Sequence, residues 1–337
     1  MTAAGPVRCG VIGMGMIGVP HTAALDRSPL ADLACCCDTD PAAAARVPGG
    51  AAFTTDLREF LELPGLEAVF VCTPQQTHRA VVEQALARNL FVFCEKPIAQ
   101  TLEDADALIE AAASRPGRLV IGHTLRFSAD YLAVRDVVHG GGIGTIVNMA
   151  VRRCVPDFEG RLIAGRTTLP VEVGVHDLDI LQWLAGDIES VFAESARLDV
   201  TGPGLADAMT GTLRFASGAV AVIELNWIMA SASARASDYR LAVYGTAGSA
   251  FAEFQAPAAR AYGTGNPGTA IPGTGWLDDI YGSHAGVLKT EDEHFLGMVR
   301  GTRSWPLTLQ DARSALAVAL ALDRSAVLGR PVRVRDA

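Results

Sequence analysis

Three glycines near the start of the chain have the spacing of a phosphate-binding turn. Gly13, Gly15 and Gly18 form a GxGxxG pattern directly after the apolar stretch VRCGVI, which is typical of a β-strand. The first glycine allows a tight bend, the second lets a pyrophosphate approach the backbone, and the third lets the next helix pack on the strand. That helix directs its positive N-terminal end at the phosphates. The turn, which includes Met16 and Ile17, therefore predicts a dinucleotide site.

A carboxylate after the next strand pattern extends this fingerprint. Asp38 follows the apolar stretch Leu33–Cys37 and lies 20 residues after Gly18, the distance expected of a carboxylate that binds the ribose of the cofactor. No arginine stands close behind it to favour a 2′-phosphate, so we predict NAD, with NADP the less favoured cofactor. The alternative for Asp38 is a turn residue at the strand end. Its neighbour Asp40 has the position of a helix N-cap before Pro41.

Two further polar segments follow strand patterns. Thr73 and Pro74 come after Ala68–Cys72, at the edge of the sheet where parallel α/β folds bind ligands. We expect both residues to contact the cofactor. His78 belongs to the same segment, and it has the position of a helix-start residue as well as of a cofactor neighbour.

Glu95, Lys96 and Pro97 end the next strand pattern. Placing unpaired charges at the end of a buried strand is costly, because each loses its hydration. Glu95 and Lys96 are therefore predicted to face the cleft that binds cofactor and ligand. The alternative is an ordinary strand end exposed to solvent.

Later in the chain, a histidine lies between two carboxylates at helical spacing. Glu172 and His176 are four residues apart, and Asp179 follows three residues later, which places all three on one face of an α-helix. Carboxylates beside an imidazole can orient it and tune its proton affinity. A lone histidine on such a helix would be structural.

Arg126 and Arg166 are candidates for binding a charged substrate group, because arginine binds carboxylates and phosphates in a bidentate manner.

The elements that must position these residues change character along the chain. Over roughly the first 120 residues strand and helix patterns alternate, which predicts a doubly wound parallel sheet. Beyond Gly122 strand patterns dominate, with one strong helix over Val173–Leu184 and a last one over Leu309–Leu328. We therefore predict an α/β chain with an N-terminal Rossmann domain over residues 1–124. Residues 125–337 are predicted to form an α+β domain with a large, mostly antiparallel sheet.

Composition narrows the class of protein. Half of the 337 residues are hydrophobic. The formal net charge is −9, and this negative charge argues against a nucleic-acid partner. No uncharged run reaches membrane-spanning length. None of the seven cysteines has zinc-site spacing, so no metal is predicted. Their place in strand patterns predicts a reducing, cytoplasmic location.

Apolar alternation in the later strands predicts an open sheet face covered by a second copy, in a homodimer or homotetramer.

The ordered set of motifs resembles the Gfo/Idh/MocA oxidoreductases, and the resemblance covers nearly the whole chain. It rests on the glycine turn, Thr73-Pro74, Glu95-Lys96-Pro97, the segment Gly122–Phe127, the Gly-x-His-x-x-Asp helix and the sheet turn Val243–Gly248. The family implies nicotinamide-dependent redox chemistry on a sugar, polyol or related secondary alcohol. An inositol-type substrate is the leading expectation.

The resemblance also implies residue roles. Lys96 and His176 would face the substrate, with His176 exchanging the hydroxyl proton and Lys96 stabilising the reacting oxygen. Pro97, often in a cis linkage in this family, would aim Lys96. Glu172 stands where many relatives carry Asp, and Asp179 would support the substrate side. The alternatives are a keto-sugar or imine reductase, a shuttle with tightly held cofactor, and a non-catalytic NAD-sensing regulator. The last tends to lose the lysine or the histidine, which this chain keeps.

Overall fold

The chain divides into two compact units, each built from two separate segments. In the computed structural model, residues 1–127 and 276–313 form the first unit, and residues 128–275 and 314–337 form the second. The predicted division after residue 124 differs from this in two places, because residues 125–127 belong to the first unit and residues 276–313 return to it. The structure describes residues 5–163, 165–230, 237–254, 257–263, 266–272, 278–280 and 283–336.

Helices and strands are numbered in chain order. The helices are α1 Gly18–Asp26, α2 Leu57–Leu61, α3 His78–Ala87, α4 Leu102–Ala113, α5 Ala129–His139, α6 Asp157–Ile163, α7 Val175–Ala185, α8 Val287–Val299 and α9 Leu309–Leu328. The strands are β1 Val7–Ile12, β2 Ala31–Cys37, β3 Ala52–Thr54, β4 Ala68–Val71, β5 Phe91–Glu95, β6 Leu119–Gly122, β7 Ile146–Pro156, β8 Ile188–Ala196, β9 Ala208–Phe215, β10 Val220–Met229, β11 Asp238–Gly245, β12 Ser249–Phe254, β13 Pro257–Gly263, β14 Asn266–Pro272, β15 Asp278–Ile280, β16 Ser283–Ala285 and β17 Val332–Arg333.

The sheet of the first unit is parallel and doubly wound, as predicted. Its six strands lie in the order β3-β2-β1-β4-β5-β6, and every neighbouring pair is parallel. The strand order reverses between β1 and β4, and in such folds ligands bind outside the carboxyl ends of the strands at this point. The topology therefore brings the ends of β1, β2, β4 and β5 to one edge.

The returning segment completes the core of the first unit. Phe295 on α8 is fully buried, and its ring lies 5.1 Å from that of Phe70 and 5.7 Å from that of Phe93. Trp305 makes an edge contact with Phe93, at 5.9 Å between ring centroids. Offset and edge-on aromatic pairs of this kind add to the free energy gained by burying the rings. The sequence analysis did not predict α8.

The second unit is built on a mostly antiparallel sheet, as predicted. Its seven strands lie in the order β12-β11-β7-β10-β9-β8-β17, and only β10 and β7 pair in parallel. Burial alternates along β10: Ile223 and Leu225 are buried, whereas Val222 is 38% exposed. One face of the sheet is therefore covered within the unit and the other is open. Helices α5 and α6 of this unit, like β3 of the first, are additions to the predicted elements.

None of the helices that the structure describes is long and apolar enough to span a membrane.

Candidate active site

The glycine turn has two glycines that the packing requires and one that it leaves open. Gly13 has φ +93°, and a Cβ there would lie 2.6 Å from the carbonyl oxygen of Cys72. A Cβ on Gly18 would lie 1.8 Å from the carbonyl oxygen of Gly13, whereas a Cβ on Gly15 would meet no atom within 4 Å. Gly15 therefore borders free space, which is the feature that a closely approaching phosphate needs.

The helix that follows this turn keeps its N-terminal end open. Helix α1 begins at Gly18, and its N-cap residue, Ile17, makes no side-chain capping bond. Met16 is half exposed in the turn. Uncapped N–H groups and the helix dipole together favour an anion at this position.

Asp38 is fixed beside the glycine turn. Its Oδ2 accepts a hydrogen bond from the backbone N–H of Met14 at 2.6 Å, and its Oδ1 accepts one from Asp40 at 2.9 Å. Each carboxylate oxygen can accept a second hydrogen bond, so the side chain is held in place and can still bind a ribose hydroxyl. The predicted N-cap is confirmed, because Asp40 accepts a hydrogen bond from the N–H of Ala42.

His78 joins the two polar segments that follow β4 and β5. It is the first residue of α3 and is buried. Its Nδ1 lies 3.0 Å from the carbonyl oxygen of Pro97, and its Nε2 lies 2.9 Å from that of Thr73. Burial lowers the pKa of His78. The ring thus links the backbone of Thr73 to that of Pro97, and the role of His78 as a cofactor neighbour stays a prediction.

Lys96 stands half-buried at the carboxyl end of β5, and its peptide bond to Pro97 is cis. The preceding carboxylate is buried beneath it. Glu95 is 3% exposed, and its Oε2 accepts a hydrogen bond from the backbone N–H of Lys96 at 3.0 Å. The other oxygen, Oε1, lies 3.0 Å from Nε2 of His21 on α1. Burial acts to raise the pKa of Glu95, but the hydrogen bond and charge of His21 outweigh it and lower the pKa.

His21 is the centre of a buried cluster that the sequence analysis missed. Its side chain is fully buried, and its Nδ1 lies 2.7 Å from Oδ1 of Asp292 on α8. Burial acts to lower the pKa of His21, but Asp292 and Glu95 together raise it to about 10. Glu291, also fully buried, has its pKa raised by burial and by the charge of Glu95. His21 is therefore an imidazolium that donates to two carboxylates. No local spacing signals a contact between residues 271 positions apart.

In the second unit the predicted catalytic segment is only partly α-helical. Glu172 lies in a π-helical turn, Pro170–Gly174, ahead of α7. The expected α-helical spacing from Glu172 to His176 is therefore wrong, whereas His176 and Asp179 do share α7. His176 is 8% exposed and Asp179 1%. A Cβ on Gly174 would lie 2.8 Å from Cδ1 of Leu225, so glycine allows the turn to pack closely on β10.

A second buried ion pair anchors α7. Asp177 follows His176 directly, and its carboxylate binds the guanidinium of Arg153 on β7 through two hydrogen bonds, one of 3.2 Å and one shorter. The same guanidinium lies 4.1 Å from the ring centroid of Tyr239. Both charged side chains are buried. The backbone beside His176 is thus fixed to the sheet.

The two arginine candidates lie in different units. Arg126, in the first unit, is 5% exposed and donates a 2.8 Å hydrogen bond to the carbonyl oxygen of Pro306. Arg166, in the second, donates a 2.5 Å hydrogen bond to the carbonyl oxygen of Leu162. Both guanidinium groups are engaged with the backbone, so their role as substrate contacts stays a prediction.

Comparison with known proteins identifies the family. Residues 7–123 match the oxidoreductase family GFO_IDH_MocA, described as having an NAD-binding Rossmann fold, and residues 131–251 match the GFO/IDH/MocA C-terminal domain. The chain belongs to this family. The first match contains the glycine turn, Asp38 and Lys96, and the second contains His176, so this GFO/IDH/MocA chain is an oxidoreductase with an NAD-binding domain.

Several GFO/IDH/MocA relatives are similar over most of their length. The chain is 28% identical to inositol 2-dehydrogenase of Rhizobium meliloti, over 97% of this chain and 99% of the relative. It is 32% identical to inositol 2-dehydrogenase of Leifsonia xyli, over 67% and 68%. The solved structure of scyllo-inositol dehydrogenase from Lactobacillus casei, with bound NAD(H) and scyllo-inositol, has a TM-score of 0.84, 19% identity and coverage of 98% and 99%. At that identity the last comparison shows the fold alone.

Proposed function

We propose that this oxidoreductase is an NAD-dependent dehydrogenase of a secondary alcohol in a cyclic polyol or sugar, with an inositol-type substrate. The observation that carries the proposal is Lys96, a half-buried lysine at the ligand edge of the parallel sheet, whose backbone is clamped by Glu95. The similarity to inositol 2-dehydrogenases supports the substrate class. A keto-sugar or imine reductase would use the same residues in the opposite direction.

The residues beside the glycine turn fit NAD. The space in front of Gly15 and the open end of α1 suit the pyrophosphate, and Asp38 retains acceptor capacity for the ribose hydroxyls. Thr73 and Pro74, which follow β4, would border the nicotinamide half. When bound, NAD supplies the group that accepts a hydride from the substrate carbon.

The protein's own residues handle the proton and the charge. In oxidation, the imidazole of His176 would take the hydroxyl proton while the hydride leaves the same carbon, and it would return that proton in reduction. The ammonium group of Lys96 would donate a hydrogen bond to the reacting oxygen and stabilise its negative charge. Glu172 would bind substrate hydroxyls or orient His176, with Asp179 in support.

Turnover measurements test this function. We expect reduced nicotinamide to form, by absorbance, when the protein is given NAD and one of a panel of inositols, aldoses and sugar acids. Lys96→Ala and His176→Ala should each lower kcat by about 10²–10⁴-fold, with circular dichroism spectra unchanged. Turnover that survives both substitutions would contradict the assignment, as would NAD binding without turnover of any compound in the panel.

The cofactor site has a matched glycine control. Gly15→Ala should raise the Kd for NAD by about tenfold or more with Tm unchanged, because its Cβ meets nothing within the protein but enters the space for phosphate. Gly49 also borders open space, and Gly49→Ala should leave both quantities unchanged. Calorimetric titration with NAD gives the Kd, and equal affinity in the two variants would move the phosphates elsewhere.

We also propose that the open sheet face of the second unit binds a second copy of the chain. Val220, Val222, Tyr244 and Phe251 are all more than a third exposed on this unit, and apolar groups on an open sheet are costly to leave in water. Light scattering should give a dimer or tetramer mass, and Val222→Glu should lower it. A monomer mass at micromolar concentration would refute the assembly.

The cytoplasm is the proposed location. All seven cysteines are buried free thiols, as expected of a protein kept in a reducing compartment. Fractionation of the source cells, with activity assayed in each fraction, tests this location.

A further inference from the structure

The buried cluster around His21 joins three elements of the first unit at the base of Lys96. His21 lies on α1, directly after the glycine turn, Glu95 ends β5, and Asp292 lies on α8. The imidazole bridges the two carboxylates, at 3.0 Å to Glu95 and 2.7 Å to Asp292. All three side chains are nearly or fully buried. The contacts are therefore shielded from water. In the protein interior, hydrogen bonds between charged groups are strong.

Glu95 divides its two oxygens between different partners. Oε1 faces His21, and Oε2 accepts the backbone N–H of Lys96. A carboxylate held at both oxygens cannot rotate without breaking one of these bonds. The imidazole thus fixes the carboxylate, and the carboxylate fixes the peptide from which the Lys96 side chain projects.

We propose that His21 is a positioning residue for Lys96, acting through Glu95. The imidazolium holds the Glu95 carboxylate against the backbone of Lys96 and neutralises its charge beneath the lysine ammonium. Asp292 holds the imidazole from the opposite side. This inference rests on the proposed function in so far as Lys96 contacts the reacting oxygen.

The charge arrangement predicts opposite effects for two substitutions. In His21→Gln the Glu95 carboxylate loses the cation that neutralises it, so the ammonium of Lys96 interacts with an uncompensated negative charge and is acetylated more slowly. In Glu95→Gln the negative charge itself is gone, and Lys96 is acetylated faster. Each rate is expected to change by about tenfold. Loss of packing alone would not move the two variants in opposite directions.

Two measurements on the full chain test the proposal. The first is the time course of acetylation of Lys96 by acetic anhydride at one fixed pH, read by mass spectrometry, which needs no substrate. The second is kcat, with its pH profile. We expect His21→Gln to lower kcat by roughly 10- to 100-fold, because the backbone of Lys96 is no longer fixed.

His294→Gln is the matched control. His294 also lies on α8, and its Nε2 contacts the carbonyl oxygen of Ser304 rather than the cluster. Its acetylation curve and pH profile should overlay those of the wild type.

The outcomes separate the two proposals. Acetylation curves of His21→Gln and Glu95→Gln that overlay the wild type would overturn the positioning role. If His21→Gln does not fold, the faster acetylation of Lys96 in Glu95→Gln decides, and its absence overturns the role. If wild-type protein oxidises no polyol or sugar, the proposed function fails, while the acetylation curves still decide the role of His21.

Discussion

Each unit fixes the backbone beside its candidate catalytic residue, but the two units use different cations to do so. In the first, Lys96 follows a buried carboxylate, Glu95, which is held by His21. In the second, His176 precedes a buried carboxylate, Asp177, which is held by Arg153. Each candidate catalytic side chain thus has a buried carboxylate as its chain neighbour, tied by a cation on another element. The cation is an imidazolium in the first unit and a guanidinium in the second.

The choice of cation decides how each anchor responds to pH. A guanidinium stays protonated at every pH at which proteins are stable, so the anchor of the second unit keeps its charge. An imidazolium can lose its proton, and the pKa of His21 is raised to about 10 by Asp292 and Glu95 against the effect of burial. The anchor of the first unit therefore fails at alkaline pH, and that of the second does not.

The largest expected effect comes from breaking the Arg153–Asp177 ion pair of the second unit. Arg153→Leu leaves Asp177 buried without its partner, and we expect the free energy of unfolding to fall by about 3–5 kcal/mol. Guanidinium denaturation followed by tryptophan fluorescence measures it. The double variant Arg153→Leu/Asp177→Leu should recover most of the loss, because it removes the uncompensated charge. A loss of less than about 1 kcal/mol in the single variant would mean that the pair is hydrated.

The second effect is a pH dependence that belongs to the first unit. His21 is protonated in the folded chain up to about pH 10, but only up to about pH 6.5 when unfolded. Its stabilising contribution is therefore complete below pH 6.5 and is lost as the pH rises to about 10. The expected slope is about −1.4 kcal/mol per pH unit over this window.

This slope is measured by chemical denaturation at several pH values. Buried thiols and Glu291 also favour their protonated forms in the folded chain, and they add to the slope in every variant. The difference between wild type and His21→Gln isolates the contribution of His21. Parallel curves for the two proteins would show that His21 keeps an ordinary pKa.

The smallest effect concerns a titratable group in the second unit. Burial raises the pKa of Asp323 on α9 to about 6, against the hydrogen bond from Thr168. Ionising Asp323 therefore costs folding energy above pH 6 and nothing below about pH 4. Asp323→Asn keeps an acceptor for Thr168 and should stabilise the chain by about 1–2 kcal/mol at pH 8. Thermal unfolding at pH 4 and pH 8 tests this, and equal gains at both would contradict it.

Local signals predicted the part of the site that depends on local geometry. The glycine turn, the Asp40 cap and the polar ends of β4 and β5 follow from turn chemistry and strand periodicity within a few residues. The doubly wound sheet followed from the alternation of those strands with helices. Family resemblance supplied the roles of Lys96 and His176, which no spacing could give.

Distant contacts were beyond such signals. In the sequence, His21 is one polar residue in a helix made mostly of small residues. Its partner Asp292 is 271 positions away. Arg153 lies in a strand pattern next to Arg152, and only the fold shows that Arg153 is buried on Asp177 while Arg152 pairs with Glu224. The π-helical turn at Glu172 also escaped prediction, because proline and glycine at its ends, with close packing on Leu225, override α-helical periodicity.

The return of residues 276–313 to the first unit has a consequence for synthesis on the ribosome. The strands up to residue 127 emerge without Phe295, which fills their aromatic core, and without Asp292, which partners His21. At about 5–20 residues per second, roughly 9–34 s pass between residue 127 and the end of α8. During that interval the nascent first unit exposes the apolar surface that Phe295 covers, and His21 has Glu95 but not Asp292 as a partner, a state that favours association with other unfinished chains.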